Sequence, residues 1–152
     1  MIISLNIAKA IITDGQNILM LMKEYENGQT LYTLPGGRQK PGETLEETVA
    51  REVNEEVAAT VNVLGLLGVY EHSHPARKDP DIIQHHIEFA FLCELTEPYD
   101  PVMGHTPDPH QVSVEWVQKH SLQRLTLHPE ELEGVLKAFK LPDPPVYLGQ
   151  VS

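Results

Sequence analysis

Cys93 is the only cysteine in 152 residues. An intrachain disulfide is therefore excluded, and a reducing compartment is expected. Basic side chains are also scarce, with 11 Lys and Arg against 22 Asp and Glu and a formal charge of −11. Such a surface lacks the basic patch that nucleic acid requires, so no nucleic-acid partner is expected. An anionic ligand would need its charge met locally, by metal ions or a few basic side chains. No apolar segment approaches membrane-spanning length, so no membrane partner is expected. The N-terminus, MIISLNIAKAIITDG, has no cationic start ahead of a long apolar run, and no signal peptide is read there. A soluble, cytoplasmic protein is the expectation.

What is present is ordinary for a globular chain: 41% hydrophobic and 22% charged residues. Its length suits one domain over residues 1–152, able to bury roughly 70% of its unfolded surface. Residues 141–152, with Pro142, Pro144 and Pro145, read as an extended Pro-rich tail. Repeats and low-complexity segments are absent.

Turn residues divide the chain into elements. Ile3–Thr13 and Gln16–Glu24 are predicted strands joined at Asp14-Gly15, which makes an opening hairpin. Leu31–Leu34 is a short strand running into the turn Pro35-Gly36-Gly37. After Pro41-Gly42, Thr44 and Glu47 have the spacing of a capping box, which predicts a helix to about Ala58. Val61–Tyr70, Ile83–Leu95 and Gln111–Val117 read as strands, and Pro129–Phe139 as a second helix. The segments between them, 75–80 and 96–109, read as loops. The order lacks regular βαβ alternation. It predicts an α+β protein, an α/β/α sandwich around a mixed sheet.

The first helix holds the most unusual pattern. At about 100° per residue, Leu45, Val49, Val53 and Val57 form one apolar stripe, and Glu56 projects inside it. Glu52 lies at the stripe's edge, with Glu55 one step further round. Like charges four residues apart repel, and burying an unpaired carboxylate costs far more. A bound cation is the simplest way to satisfy both. Carboxylate oxygens are hard donors suited to Mg²⁺ or Mn²⁺. Glu52 and Glu56, one turn apart, are the first candidate ligands, with Glu55 next.

Gly37, five residues, Glu43, seven residues, Arg51-Glu52-Val53, one residue and Glu55-Glu56 resembles the box of the Nudix hydrolase family. The Leu34-Pro35-Gly36-Gly37 lead-in is similar too. Ala58 and Ala59 stand where the family pattern has a glycine and an aliphatic residue. The resemblance implies the Nudix fold. It also implies Mg²⁺-dependent (or Mn²⁺-dependent) cleavage of the diphosphate linkage of a small nucleotide, by water attack on phosphorus. The substrate would be a nucleoside triphosphate or a nucleoside diphosphate derivative such as ADP-ribose. On the same basis the Gly36 carbonyl adds a metal ligand and Glu43 tethers the loop. Arg51 orients the carboxylates, with Glu47 and Glu55 within one turn of it, and Glu52 is the candidate base. A homodimer is compatible by resemblance. The competing reading is a non-catalytic Nudix-fold sensor or regulator that binds a nucleotide. Such modules lose box glutamates, and this chain keeps them.

Other residues leave alternatives open. A later acidic ligand could be Glu88, Asp108 or Glu115, with His110 another substitute, because Gln111 occupies the place the family often gives to glutamate. His72, His74, His85 and His86 could ligate zinc across adjacent strands. No cysteine cluster completes a structural site, however, and these side chains are expected to line the substrate cleft or lie exposed. Arg38, beside the glycines, is the first candidate to meet substrate phosphates; Lys23, Arg77 and Lys78 follow. Pro75 stands near the position of a proline found in family members acting on ADP-ribose. Triphosphates stay equally open as substrates.

Overall fold

The computed structural model describes residues 1–138 and 143–151. Its organising element is β1 (Ile2–Asp14), whose alternating side chains feed two separate cores. Ile11 faces one core, while Ala8, Ala10 and Ile12 face the other, as period-two alternation requires of a strand covered on both sides. β1 pairs in parallel with β6 (Ile83–Leu95) along eleven residues, from Ile2↔Ile83 to Ile12↔Cys93. β6 then pairs antiparallel with β5 (Val61–Pro75). β2 (Asn17–Glu24) lies between β3 (Thr30–Thr33) and β7 (Gln111–Gln118), antiparallel to both.

The expected opening hairpin exists only at its tip. Thr13↔Ile18 and Asp14↔Asn17 pair across Gly15, which takes a positive φ of 57°. Beyond that point β1 is claimed by β6 on one edge and by β4 (Gly36–Arg38) on the other. With both edges of β1 occupied, β2 departs to build the second sheet. The Pro35-Gly36-Gly37 segment is accordingly more than a turn: Gly36 pairs with Lys9 and Gly37 with Ala8.

Helices cover both sides. α1 (Leu45–Val57) starts at the predicted capping box: Thr44 Oγ1 accepts from the Glu47 N–H and the Glu47 carboxylate accepts from the Thr44 N–H. Val49, Val53 and Val57 are fully buried against Ile12, Leu19, Leu21, Phe91 and Cys93. On the other face, a 3₁₀ turn (Lys119–Arg124) and α2 (Leu132–Ala138) bring Leu122, Leu132 and Val135 onto Ile11, Ile18, Met20 and Leu67. This is the expected α/β/α arrangement around mixed strands. α2 starts three residues later than predicted, and Phe139 lies outside the described residues. β5 extends five residues past Tyr70, because Pro75 stays in register with Ile83.

The tail also differs from expectation. Beyond Pro142, which lies outside the described residues, β8 (Val146–Gln150) joins the sheet in parallel with β5. Among the described residues, no helix is long and apolar enough to cross a membrane.

Candidate active site

α1 ends under the long loop that follows β6, and that loop completes its hydrogen bonding. The last carbonyls of an α-helix have no intrahelical partner. Here Glu55 O accepts from the Thr106 N–H (3.0 Å) and Glu56 O from the Gly104 N–H (2.9 Å). Val57 O accepts from the Tyr99 hydroxyl (2.7 Å). Gly104 is required at this contact, since a Cβ there would stand 2.1 Å from Glu55 O. Gln111, buried, reinforces it: Nε2 donates to Glu56 O at 2.9 Å while Oε1 accepts from the Asp108 N–H at 3.0 Å. The position where a late glutamate was sought is thus a structural amide. Its loop carries Asp108 to the site instead.

The helix exit is equally defined. Ala58 caps α1 in the left-handed conformation (φ 55°, ψ 34°), with its N–H on Asn54 O at 3.1 Å. The chain leaves the helix as it would at a glycine, although alanine stands there.

Glu56 is 2% exposed. Its Oε1 accepts from the Gly36 N–H at 2.8 Å, so β4 and α1 are joined through this side chain. Burial pushes its carboxyl up to about 8, against the pull of Lys9. Glu52 is also raised by burial, with the Arg51 guanidinium opposing. Gly37 presses on it: a Cβ at that position would fall 2.5 Å from the Glu52 carboxyl carbon.

Arg51 uses all five of its N–H donors. Nε and Nη2 grip both oxygens of Glu43 (3.0 and 2.7 Å), and Nη2 also reaches the Arg38 carbonyl (2.9 Å). Nη1 donates to Glu52 (2.9 Å) and Glu55 (3.2 Å). Arg51 and the Lys40 N–H hold the Glu43 carboxyl down to about 2. Glu47, expected as an Arg51 neighbour, is instead committed to the capping box. Arg51 thus clamps the 38–43 loop to the helix and aims two carboxylates at once.

These groups open onto a cleft of about 540 Å³. Gly36, Gly37, Arg38, Glu52, Glu55 and Glu56 line it together with Glu88 and Asp108. Of the candidate later acids, Glu88 and Asp108 reach the cleft, the latter paired with Lys23. Glu115 does not line it and bonds to Tyr32 and Ser113. His110 turns to Glu26 and Arg77. His74 and His86 line the cleft wall, whereas His85 sits elsewhere, between Glu71 and Ser73.

Three titratable lining residues escaped the sequence reading. Lys9 is 8% exposed, with Nζ donating to Leu34 O at 3.3 Å. A single lysine inside an Ile/Ala strand buried on both faces was the available signal. Tyr25 lies under the Arg77 guanidinium at 4.2 Å. His128 belongs to the chain ahead of α2 and packs edge-on against His72, with ring centroids 4.9 Å apart. Neither carried a signal in sequence, because both are brought in by distant segments.

The donor set fits a hard divalent cation. Oxygen donors dominate one end of the cleft, and two of them carry raised pKa values that only a positive partner would restore.

Residues 6–139 match the NUDIX domain family. Over 85 residues the chain is 36% identical to an ADP-ribose pyrophosphatase of Methanocaldococcus jannaschii, covering 56% of this chain and 47% of that protein. The chain therefore spans about half the length of that curated relative. Among solved structures it is similar to the MutT protein of Bacillus halodurans (TM-score 0.66, 22% identity, 94% of this chain and 86% of that one). It is also similar to an ADP-ribose pyrophosphatase of Streptococcus suis (TM-score 0.63, 16% identity, 94% and 98%). At these identities the structural likeness is one of fold.

Proposed function

The chain belongs to the NUDIX domain family, and we propose that it is a pyrophosphohydrolase dependent on Mg²⁺ or Mn²⁺ that cleaves the diphosphate linkage of a small nucleotide. One observation carries this reading: Glu52, Glu55 and Glu56 of a single helix share a cleft with Asp108, Lys9, Lys23 and Arg38. Acidic groups able to hold cations and basic groups able to meet phosphates therefore occupy the same space.

Glu52, Glu55 and Glu56 would hold the metal, with the Gly36 carbonyl alongside. Bound there, the ion would neutralise diphosphate charge and favour attack by water on phosphorus. Glu52, its proton affinity raised by burial, would take a proton from that water. Arg51 keeps Glu52 and Glu55 in fixed rotamers through the bonds described above, so little reorganisation is left for the reacting state. Arg38 is exposed at the cleft edge with its carbonyl fixed by Arg51, which leaves its guanidinium available to a phosphate. Lys9, inside the cleft, adds positive charge where the net charge of the chain is strongly negative.

The substrate is proposed as either a nucleoside triphosphate or a nucleoside diphosphate linked to a sugar, such as ADP-ribose. The name of the M. jannaschii relative supports the second. A panel of triphosphates, ADP-ribose, dinucleoside polyphosphates and nucleotide sugars, each with Mg²⁺ and with Mn²⁺, tests the proposal. Release of a nucleoside monophosphate, with either pyrophosphate or ribose 5-phosphate as co-product, identifies the bond cleaved. Absence of metal-dependent turnover across the panel, in protein that binds the same nucleotides, would instead establish the sensor reading.

A further inference from the structure

The cleft has a second end, chemically unlike the first. His72 and His74 project from one face of β5, and His86 lies directly opposite His72 on β6. One ring nitrogen from each of the three lies within 4.8 Å of the others. Ring centroids are 4.9 Å apart for His72–His86 and 4.8 Å for His74–His86. Glu88, two residues after His86 on the same face, is 3% exposed. Its Oε1 stands 3.1 Å from His72 Nε2 and 4.0 Å from His86 Nδ1, while Oε2 is buried without a hydrogen-bond partner.

We propose that His72, His74 and His86 form a second metal site, which takes a borderline transition ion such as Zn²⁺ through three imidazoles with Glu88 as the fourth donor. Its imidazoles come from β5 and β6 and not from α1, and the site does not rest on the hydrolase reading.

A hydrogen bond prepares one of the ligands. His74 Nδ1 lies 3.1 Å from the Pro75 carbonyl, which can only accept, so the proton sits on Nδ1 and Nε2 keeps its lone pair. Fixing the far nitrogen in this way sets the tautomer of a metal-ligating histidine. His86 Nε2 lies 3.2 Å from the Gln84 amide, and its Nδ1 faces Glu88 Oε1 at 4.0 Å. An ion held between the imidazoles would also partner the Glu88 oxygen that has no hydrogen bond.

A tetrahedral zinc site with Zn–N near 2.0–2.1 Å needs ligand atoms about 3.3 Å apart. His72 Nε2 and Glu88 Oε1 already stand at 3.1 Å, and the three imidazole nitrogens, within 4.8 Å of one another, would draw closer around a bound ion. Imidazole donors select Zn²⁺ over Mg²⁺, as the carboxylate end selects the reverse. His74 and His86 line the cleft, so an ion reaches the site from there.

The test uses the full chain without a purification tag, stripped by chelator and held in excess Mg²⁺ to fill the carboxylate end. Co²⁺ is titrated as the probe. One equivalent should bind with the strong visible absorption of a tetrahedral ion, and one equivalent of Zn²⁺ should displace it. His74→Ala and His86→Ala should each weaken binding by ~100-fold or more, the upper range for even an outer-shell partner. His85→Ala and Glu56→Gln should leave it unchanged. On the wild-type chain, Zn²⁺ should protect His74 and His86, and not His85, from carbethoxylation read by mass spectrometry. The inference fails if Mg²⁺ abolishes the Co²⁺ band, if the band survives both histidine variants, or if Glu56→Gln removes it. Equal carbethoxylation with and without Zn²⁺ would overturn it independently of any variant. A chain inactive on every nucleotide would leave all these readouts intact.

Discussion

Glu56→Gln separates the two things this side chain does. With its carboxyl raised to about 8 from an ordinary 4.5, folding of the metal-free chain takes up a proton whenever the pH lies between those values. Stability then falls as pH rises, by about 1.4 kcal/mol per unit in that window. The accumulated loss is about 3 kcal/mol at pH 7 and about 5 kcal/mol above pH 8. Glutamine keeps an oxygen for the Gly36 N–H, which Glu56 now receives at 2.8 Å, and removes the ionisation. In chelator at pH 7 the variant should therefore be more stable than the wild type, by about 3 kcal/mol or ~6–12 °C in Tm. Its stability should be flatter between pH 5 and 8. Mg²⁺ should reverse the order: at a thousand times its Kd it adds about 4.1 kcal/mol to the wild type and little to the variant, whose turnover should be lost. Urea unfolding across pH, with and without Mg²⁺, and product release on the best substrate measure all of this. A variant less stable than wild type in chelator would show that burial does not dominate at Glu56. Equal Mg²⁺ stabilisation of both, or undiminished turnover, would remove Glu56 from the metal site.

Arg51→Ala removes the clamp on Glu43, Glu52 and Glu55 and should lower kcat by ~100-fold with a smaller change in KM, as misplacement of reacting groups does; steady-state kinetics on folded variant decide it, and an unchanged kcat would refute the orienting role. Gly37→Ala places a Cβ on the Glu52 carboxyl and should reduce turnover while circular dichroism stays native; a fully active variant would show that Glu52 can move without consequence. Ala58→Gly relieves a left-handed alanine (φ 55°) and should raise stability by about 1 kcal/mol, or ~2–4 °C in Tm, with activity unchanged. A fall in Tm would mean that the helix exit tolerates alanine at no cost.

Legibility tracked sequence separation. The capping box, the apolar stripe of α1 and the buried place of Glu56 were readable because they depend on residues within one or two helical turns. The same holds for the alternation within β6. The hairpin is shorter than its turn implies because Asp14-Gly15 reports only on its neighbours. It cannot report that β4 and β6 compete for the edges of β1. β8 was hidden because its pairing partner lies about eighty residues earlier, and the Pro144-Pro145 pair marks an extended chain without marking a strand partner. Gln111 reads as a missing ligand from its place in the chain, whereas in the fold its amide bridges the helix end and the Asp108 loop.

The box helix was thus settled by the amino-acid order alone: which carboxylates lie together, and that one of them would be trapped among valines, is dictated by 3.6 residues per turn. What faces those carboxylates was decided only by folding. Lys9, Glu88, Asp108 and the histidines come from β1, β6, a loop and β5. Their meeting depends on strand register and on which edges were left to pair. Hydrogen bonding between distant strands carries that information, and no local spacing encodes it.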